Sequence, residues 1–266
     1  MIRKLLKYDI KSSARYLLPL YMVFLAITII NGVINPFEVL ENVKGFNLQM
    51  IFSTIIIILY FIMAFGILIG TAIIMIQRYY KNLLGDEGYL SCTLPVKPWQ
   101  HIVSKLINTV LWTIISILIV FVSALIISRT SMSSFIDGFR LFLDELGIVF
   151  GSSIYISFPL YMIIAFLLSI LIIFNAITIG HQFQNKIAAS FVAYFVLYLI
   201  TQLAILLTIV IYMLTSYSSF ANIPMNPDSI PNGDILFASL SVVLLILAIG
   251  HYLSINYLFK NRLNLD

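Results

Sequence analysis

Long apolar runs, separated by short polar stretches, set the pattern of this chain. A helix that crosses a bilayer needs about 20 mostly apolar residues. Six segments meet that requirement: Leu17 to Asn35, Met50 to Ile76, Leu106 to Ser128, Gly147 to Thr178, Ile187 to Leu214 and Ile235 to Leu258. None of them holds Asp, Glu, Lys or Arg. The pattern predicts an all-α integral membrane protein, a single transmembrane domain over residues 1–266 with six spans. The fourth run is long enough to be tilted or broken, and Pro159 inside it predicts a kink. Ahead of the first run, Arg3, Lys7, Lys11 and Arg15 recur every four residues, while Ile2, Leu5, Leu6 and Ile10 fall on the other side of the same helix. Residues 1–16 are therefore expected to form an amphipathic interfacial helix that lies on the inner leaflet before the chain turns into the membrane. Its basic face has two uses, anchoring to lipid and touching a partner, and these residues leave both open. A second amphipathic stretch sets Phe135, Ile136, Phe139 and Phe142 against Asp137, Arg140, Asp144 and Glu145, and is expected on the outer surface.

Composition agrees with the pattern. Apolar residues make up 61% of the chain and charged residues only 10%, whereas a soluble domain is roughly a quarter charged. The net charge of +4 does not point to nucleic acid, because the cations sit in short clusters between apolar runs without a groove-binding motif. Their distribution sets topology instead. Twelve of the 15 Lys and Arg residues fall on the side that holds both termini, leaving Lys44, Arg129 and Arg140 on the other. By the excess of cations on inner loops, both termini are expected on the cytoplasmic side of the membrane. The basic start could open a signal peptide, but the run from Leu17 is too long and ends without a small-x-small cleavage site, so it is read as a span. Cys92 stands alone, which leaves no partner for an intrachain disulfide.

The loop after the second span carries the most information. Arg78 to Lys105 reads RYYKNLLGDEGYLSCTLPVKPWQHIVSK, longer than a simple connection requires. Gly85 and Gly88 bracket Asp86 and Glu87, which suits a turn into a short helix, since early carboxylates favour a helix N-terminus. Tyr89, Leu90, Leu94 and Val96 are apolar anchors in a polar loop; Pro95 ends the short helix and Pro98 starts the next at its first position. A juxtamembrane re-entry with an aromatic belt at Tyr79, Tyr80, Tyr89 and Trp99 is the alternative reading of the same residues.

The string GDEGYLSCTLP, followed by Val96, Lys97, Pro98, Trp99, Gln100 and then Ser104 and Lys105, resembles the first cytoplasmic loop of bacterial ABC type-2 permeases, the short Gram-positive type in particular. Six spans, a basic N-terminal helix and a short C-terminal tail are similar to that family in architecture. The resemblance implies that Asp86 to Leu94 is a coupling helix seated in a groove of a separate ATPase subunit. The contact residues would be Asp86, Glu87, Gly88, Tyr89, Leu90, Leu94 and Pro95, with Arg3, Lys7, Lys11 and Arg15 as a second contact. It also implies a second permease subunit, ATP and magnesium on the partner rather than on this chain, and a re-entrant outer segment that would match Ser216 to Asp234, where Pro224, Pro227 and Pro231 oppose regular helix.

What is missing narrows function further. The chain has no G-x-x-x-x-G-K-[ST] string, so any nucleotide engine belongs to another polypeptide. His101, His181 and His251 are scattered without the spacing of a zinc peptidase, and no catalytic or metal residue is assigned. An ion-driven carrier needs intramembrane ligands for its ion, and the six runs contain no carboxylate. His251 is the one ionisable side chain within a run, expected to be neutral and hydrogen-bonded. Asn31, Asn108, Asn175, Thr201, Gln202 and Thr208 are expected to bond between helices, and Gly66/Gly70 and Gly147/Gly151 to allow close helix packing. The resulting expectation is the permease subunit of an ATP-driven exporter of hydrophobic, peptide-like or lipid-like cargo. The alternative is a non-transporting membrane component that senses an antimicrobial peptide or a regulator.

Overall fold

The computed structural model describes residues 2–34, 36, 48–85, 88, 97–128, 132–151, 153–220 and 233–261. Seven helices fill the described residues: α1 Ile2–Ile34, α2 Leu48–Leu83, α3 Pro98–Ser128, α4 Met132–Phe150, α5 Ile154–Gly180, α6 Lys186–Phe220 and α7 Gly233–Asn261. All but α4 are long and apolar enough to span a bilayer, so the described residues hold six candidate spans. In a helix each such apolar segment satisfies its own N–H and C=O groups in lipid, without bonding to another segment.

Helices α2, α6 and α7 run past their apolar segments at both ends and α1, α3 and α5 at one, because intrahelical hydrogen bonding does not stop where hydrocarbon does. The largest difference is at the start. Residues 2–16 are not a separate element: α1 continues unbroken through Leu17 and across Pro19 to Ile34. At 33 residues it is about 50 Å long, against a hydrocarbon core of about 30 Å. The fourth span also differs. It starts at Ile154 rather than Gly147, since Gly147 to Phe150 end the amphipathic α4 and Gly151, at φ +92°, breaks the chain between the two helices. A positive φ of that size is open to glycine and strained for other residues. Pro159 lies inside α5, which continues through it. Helix α6 extends to Phe220, so the first residues of the expected re-entrant segment are helical, and its three prolines lie outside the described residues.

The chain divides into two compact units, Met1–Tyr79 with Gln100–Ile136 and Tyr80–Trp99 with Asp137–Asp266. In the first, α1, α2 and α3 bury Leu17, Tyr21, Phe24, Tyr60, Ile67 and Trp112 in a common core. In the second, α5 is the central helix, packed against both α6 and α7. Phe237 of α7 meets the rings of Phe150, Phe158 and Tyr161 at 5.3, 5.6 and 5.7 Å. The turn from α5 to α6 is tight: a Cβ on Gly180 would stand 2.5 Å from the Ser190 nitrogen.

Candidate functional site: a buried polar seam

Helix α1 buries Asp9, Ser13, Leu17, Tyr21, Phe24 and Thr28, a stripe at helical spacing. Its first two members are polar. The Asp9 carboxylate receives Ser104 Oγ at 2.7 Å and forms an ion pair with Lys105, and all three residues are buried. One turn further, Asn108 Nδ2 donates to Ser13 Oγ at 3.0 Å and approaches Met75 Sδ at 3.5 Å. Deeper still, Ser116 Oγ lies 2.6 Å from Tyr21 Oη and 2.7 Å from Thr71 Oγ1, joining α1, α2 and α3. Tyr60 and Ser123 close the series at 2.8 Å.

The register of this seam is regular. Asp9 to Ser104, Ser13 to Asn108 and Tyr21 to Ser116 are each separated by 95 residues. A constant offset means that α1 and α3 run parallel, residue for residue, while α2 runs against them, pairing its Met75, Thr71 and Tyr60 with successively later residues of α3. Three buried atoms on α3, His101 Nε2, Asn108 Oδ1 and Trp112 Nε1, have no hydrogen-bond partner among the described residues. Each such group costs on the order of 1–3 kcal/mol, and a buried ion pair can often be replaced by packed apolar side chains without loss. Between spanning helices, where burial gives little net drive, hydrogen bonds of this kind hold α1, α2 and α3 together.

Near the seam, Arg78 of α2 also reaches α1. Its guanidinium donates to the Ser12 carbonyl and lies over the Tyr16 ring, 5.3 Å from the centroid. Arg3, Lys7, Lys11 and Arg15 are exposed along the opposite side of α1, as their spacing predicts. In the loop, α2 ends with Leu84 and Gly85 both donating to the Tyr80 carbonyl at 2.8 Å, and Gly88 donates to the Gly85 carbonyl at 2.7 Å. Asp86, Glu87, Tyr89, Leu90, Leu94 and Pro95 lie outside the described residues. Pro98 opens α3 at its first position.

The second unit has two polar clusters. Ser254 Oγ donates to Asn175 Oδ1 at 3.1 Å, which turns the amide so that its Nδ2 donates to His251 Nδ1 at 2.8 Å. His251 therefore accepts at Nδ1 and is held as the neutral tautomer protonated at Nε2. At the α5–α6 turn, Lys186 Nζ donates to His181 Nε2 at 3.2 Å, and the Tyr80 ring lies 6.0 Å from the imidazole. Burial holds the His181 pKa below its usual value and the Lys186 charge adds to that, opposed by a hydrogen bond with the Leu84 backbone. Of the other polar residues in the spans, Thr201 and Thr208 bond to carbonyls of their own helix and Gln202 is exposed. No group of three or more His, Cys, Asp or Glu side chains that could hold a metal occurs among the described residues.

The seam was not read from the sequence, although a signal was present. Asp9 is the only acid before Glu38, and on a helical projection it falls among Ile2, Leu5 and Leu6 rather than with the cations. Comparison with models of protein families, with curated proteins and with solved structures finds no match for this chain.

Proposed function

We propose that this chain is the membrane-spanning permease subunit of an ATP-driven ABC exporter, paired with a second permease subunit and served by an ATPase on a separate polypeptide. The observation that carries the reading is the Arg78 to Lys105 segment, whose GDEGYLSCTLP string resembles the coupling loop of type-2 permeases and is framed by two long spanning helices. The six spans support it. So does the length of α1, which exceeds the hydrocarbon by about 20 Å and so can carry Arg3 and Lys7 beyond the lipid headgroups. In this reading both termini and the 84–97 segment face the cytoplasm, Asp86 to Leu94 couples to the ATPase, and the lower part of α1 offers it a cationic face. The cargo is hydrophobic, peptide-like or lipid-like, in keeping with apolar spans.

Co-purification tests this. The tagged chain should bring an ATPase out of detergent-solubilised membranes of its native host. Glu87→Lys places a cation where the partner would receive an acid, and Leu94→Ala removes an anchor; loss of a well-buried anchor of about 2 kcal/mol weakens association about thirty-fold. Both variants should insert normally and recover less ATPase. Full association and full export by both would end the assignment of this loop as a coupling element.

A further inference from the structure

Helices α5 and α7 run parallel. Asn175 meets His251 and Ser254, at separations of 76 and 79 residues, and Phe237 packs against Tyr161 and Phe158 at the same two offsets. Between the first halves of the two helices lies a cleft of about 490 Å³, within the range that holds one small ligand. It extends along α5 from Ser153 to Ile164, a rise of roughly 16 Å. Exposed Ile156 and Leu160 line it from α5 and exposed Val242 and Leu245 from α7, while Ser157, Ile164 and Ser241 are buried along its floor. Every lining residue is uncharged. Ser157 is the unusual member. A serine within a helix can bond the carbonyl four residues back, as Ser241 does with Phe237 at 2.7 Å. For Ser157 that carbonyl belongs to Ser153, and it already receives the N–H groups of Ile156 and Ser157 at 3.1 and 3.0 Å. The Ser157 hydroxyl is buried without a partner among the described residues. Ser153, exposed at the mouth, makes no capping bond with its side chain.

We propose that this cleft binds a single-chain amphiphile with an uncharged head, a monoacylglycerol, whose head bonds Ser157 and whose chain lies along Leu160, Ile164, Val242 and Leu245. The site stands on the cleft and on Ser157, and does not depend on the permease reading. A purely hydrocarbon occupant, such as the tail of a bulk lipid, would leave the Ser157 hydroxyl as unsatisfied as before. A charged head would enter apolar surroundings with no counter-ion among the lining residues. A neighbouring helix is too wide, since its diameter of about 10–12 Å over the same length takes on the order of 1,300 Å³ or more. What remains is a narrow chain with a neutral head that gives and takes hydrogen bonds. The Ser157 hydroxyl turns among staggered positions, and it breaks no bond when it turns to a ligand. Ser153 and Ser157 are one turn apart, about 6 Å, so one glycerol ester reaches both. Both helices are candidate spans and the cleft begins at their N-terminal ends. The head therefore sits near the membrane surface with the chain directed inward, as in the surrounding lipid, and entry is sideways from the bilayer.

The test uses the full chain in phosphatidylcholine nanodiscs and a monoacylglycerol with a diazirine at the end of its chain, the labelled residues being read by peptide mass spectrometry. Photolabelling should saturate with probe concentration, fall on α5 and α7 around Ile164 and Leu245, and yield to unlabelled monoacylglycerol. An alkane diazirine of equal length should label the spans without saturating. Ser157→Ala removes an unsatisfied hydroxyl, so it should keep or raise the thermal midpoint while raising the half-saturating probe concentration about five- to tenfold. Ala238→Trp, which fills the cleft from α7, should abolish saturable labelling in a protein that elutes as the parent does. Labelling that never saturates, or that saturates alike for the alkane, overturns the proposal. So does a half-saturating concentration unchanged in Ser157→Ala, or one matched by the corresponding fatty-acid anion. None of these outcomes depends on whether an ATPase co-purifies, so the site and the permease reading stand or fall separately.

Discussion

Gly180→Ala should destabilise this protein while the same substitution at Gly66 does not, although both glycines belong to apolar spanning helices. A Cβ at Gly180 would stand 2.0 Å from Ser190 Oγ, 2.5 Å from its nitrogen and 2.6 Å from its Cα. The hydroxyl could rotate away, but the backbone atoms belong to the first turn of α6 and can yield only if the α5–α6 turn opens. Overpacking of that kind costs about 1–3 kcal/mol. At Gly66 a Cβ meets nothing within 4 Å, so the variant keeps the helix-propensity gain of up to about 1 kcal/mol. The expected gap is thus about 2–4 kcal/mol, or on the order of 10 °C in apparent midpoint for a chain of this size. Thermal aggregation of detergent-solubilised protein, followed by size exclusion, measures it directly. Gly147→Ala should fall between the two, because its 2.5 Å neighbour is the Tyr155 hydroxyl at the end of a movable side chain. Equal midpoints for the Gly180 and Gly66 variants would show that the α5–α6 turn does not pack as described.

Two further outcomes follow from the polar clusters of the second unit. The folded His181 pKa is depressed, so between the usual value of 6.5 and the lower folded value the unfolded chain binds more protons; stability is complete above pH 6.5 and falls as pH drops below it. Protonation also removes the Nε2 acceptor from Lys186, so the thermal midpoint should fall below pH 6.5, and His181→Gln should flatten that dependence; equal slopes in both proteins would refute the link. Asn175→Leu should cost about 1–3 kcal/mol by stripping both His251 and Ser254 of a buried partner, whereas His251→Gln, which can still bond the amide, should stay near the parent in thermal midpoint.

How far the sequence revealed the fold depended on whether one helix or several decided the matter. Span number and approximate position follow from apolar length alone, a property of each helix by itself, and all six recur in the structure. The boundary between α4 and α5 does not, because Gly147 and Gly151 read equally as a packing motif and as a turn. Only the neighbours decide: Tyr155 fills the space over Gly147, and Gly151 takes a positive φ. The same holds for α1. The four-residue spacing of its cations gave the exposed face, but whether the helix turned at Leu17 depended on a partner on another helix. Lys105 supplies that partner by pairing with Asp9, and the amphipathic stretch is held in line with the span that follows it. Asn108 and Asn175 were legible as interhelical donors from their burial in apolar runs, while Thr201 and Thr208 were not distinguishable from them, because a threonine can bond its own helix and an asparagine has no equally good local carbonyl.

The position of Asp9 also bears on how energy could enter the protein. The absence of carboxylates from the six apolar runs counted against an ion-driven carrier, and the structure places one carboxylate deep in the helix that continues the first run. It does not reopen that reading. Asp9 already has a cation and a hydroxyl donor, Lys105 and Ser104, so a proton or metal ion binding there would have to break the ion pair and leave the buried lysine without its carboxylate. The remaining atoms with capacity to spare, His101 Nε2, Asn108 Oδ1 and Trp112 Nε1, comprise two nitrogens and one amide oxygen on a single helix, with no second carboxylate among them. That set is poor as an ion path and well suited to neutral hydrogen bonds that exchange partners when helices shift. The polar groups of the seam are thus spent on one another across α1, α2 and α3, with one Asp9 oxygen paired to Lys105 and the other held by Ser104.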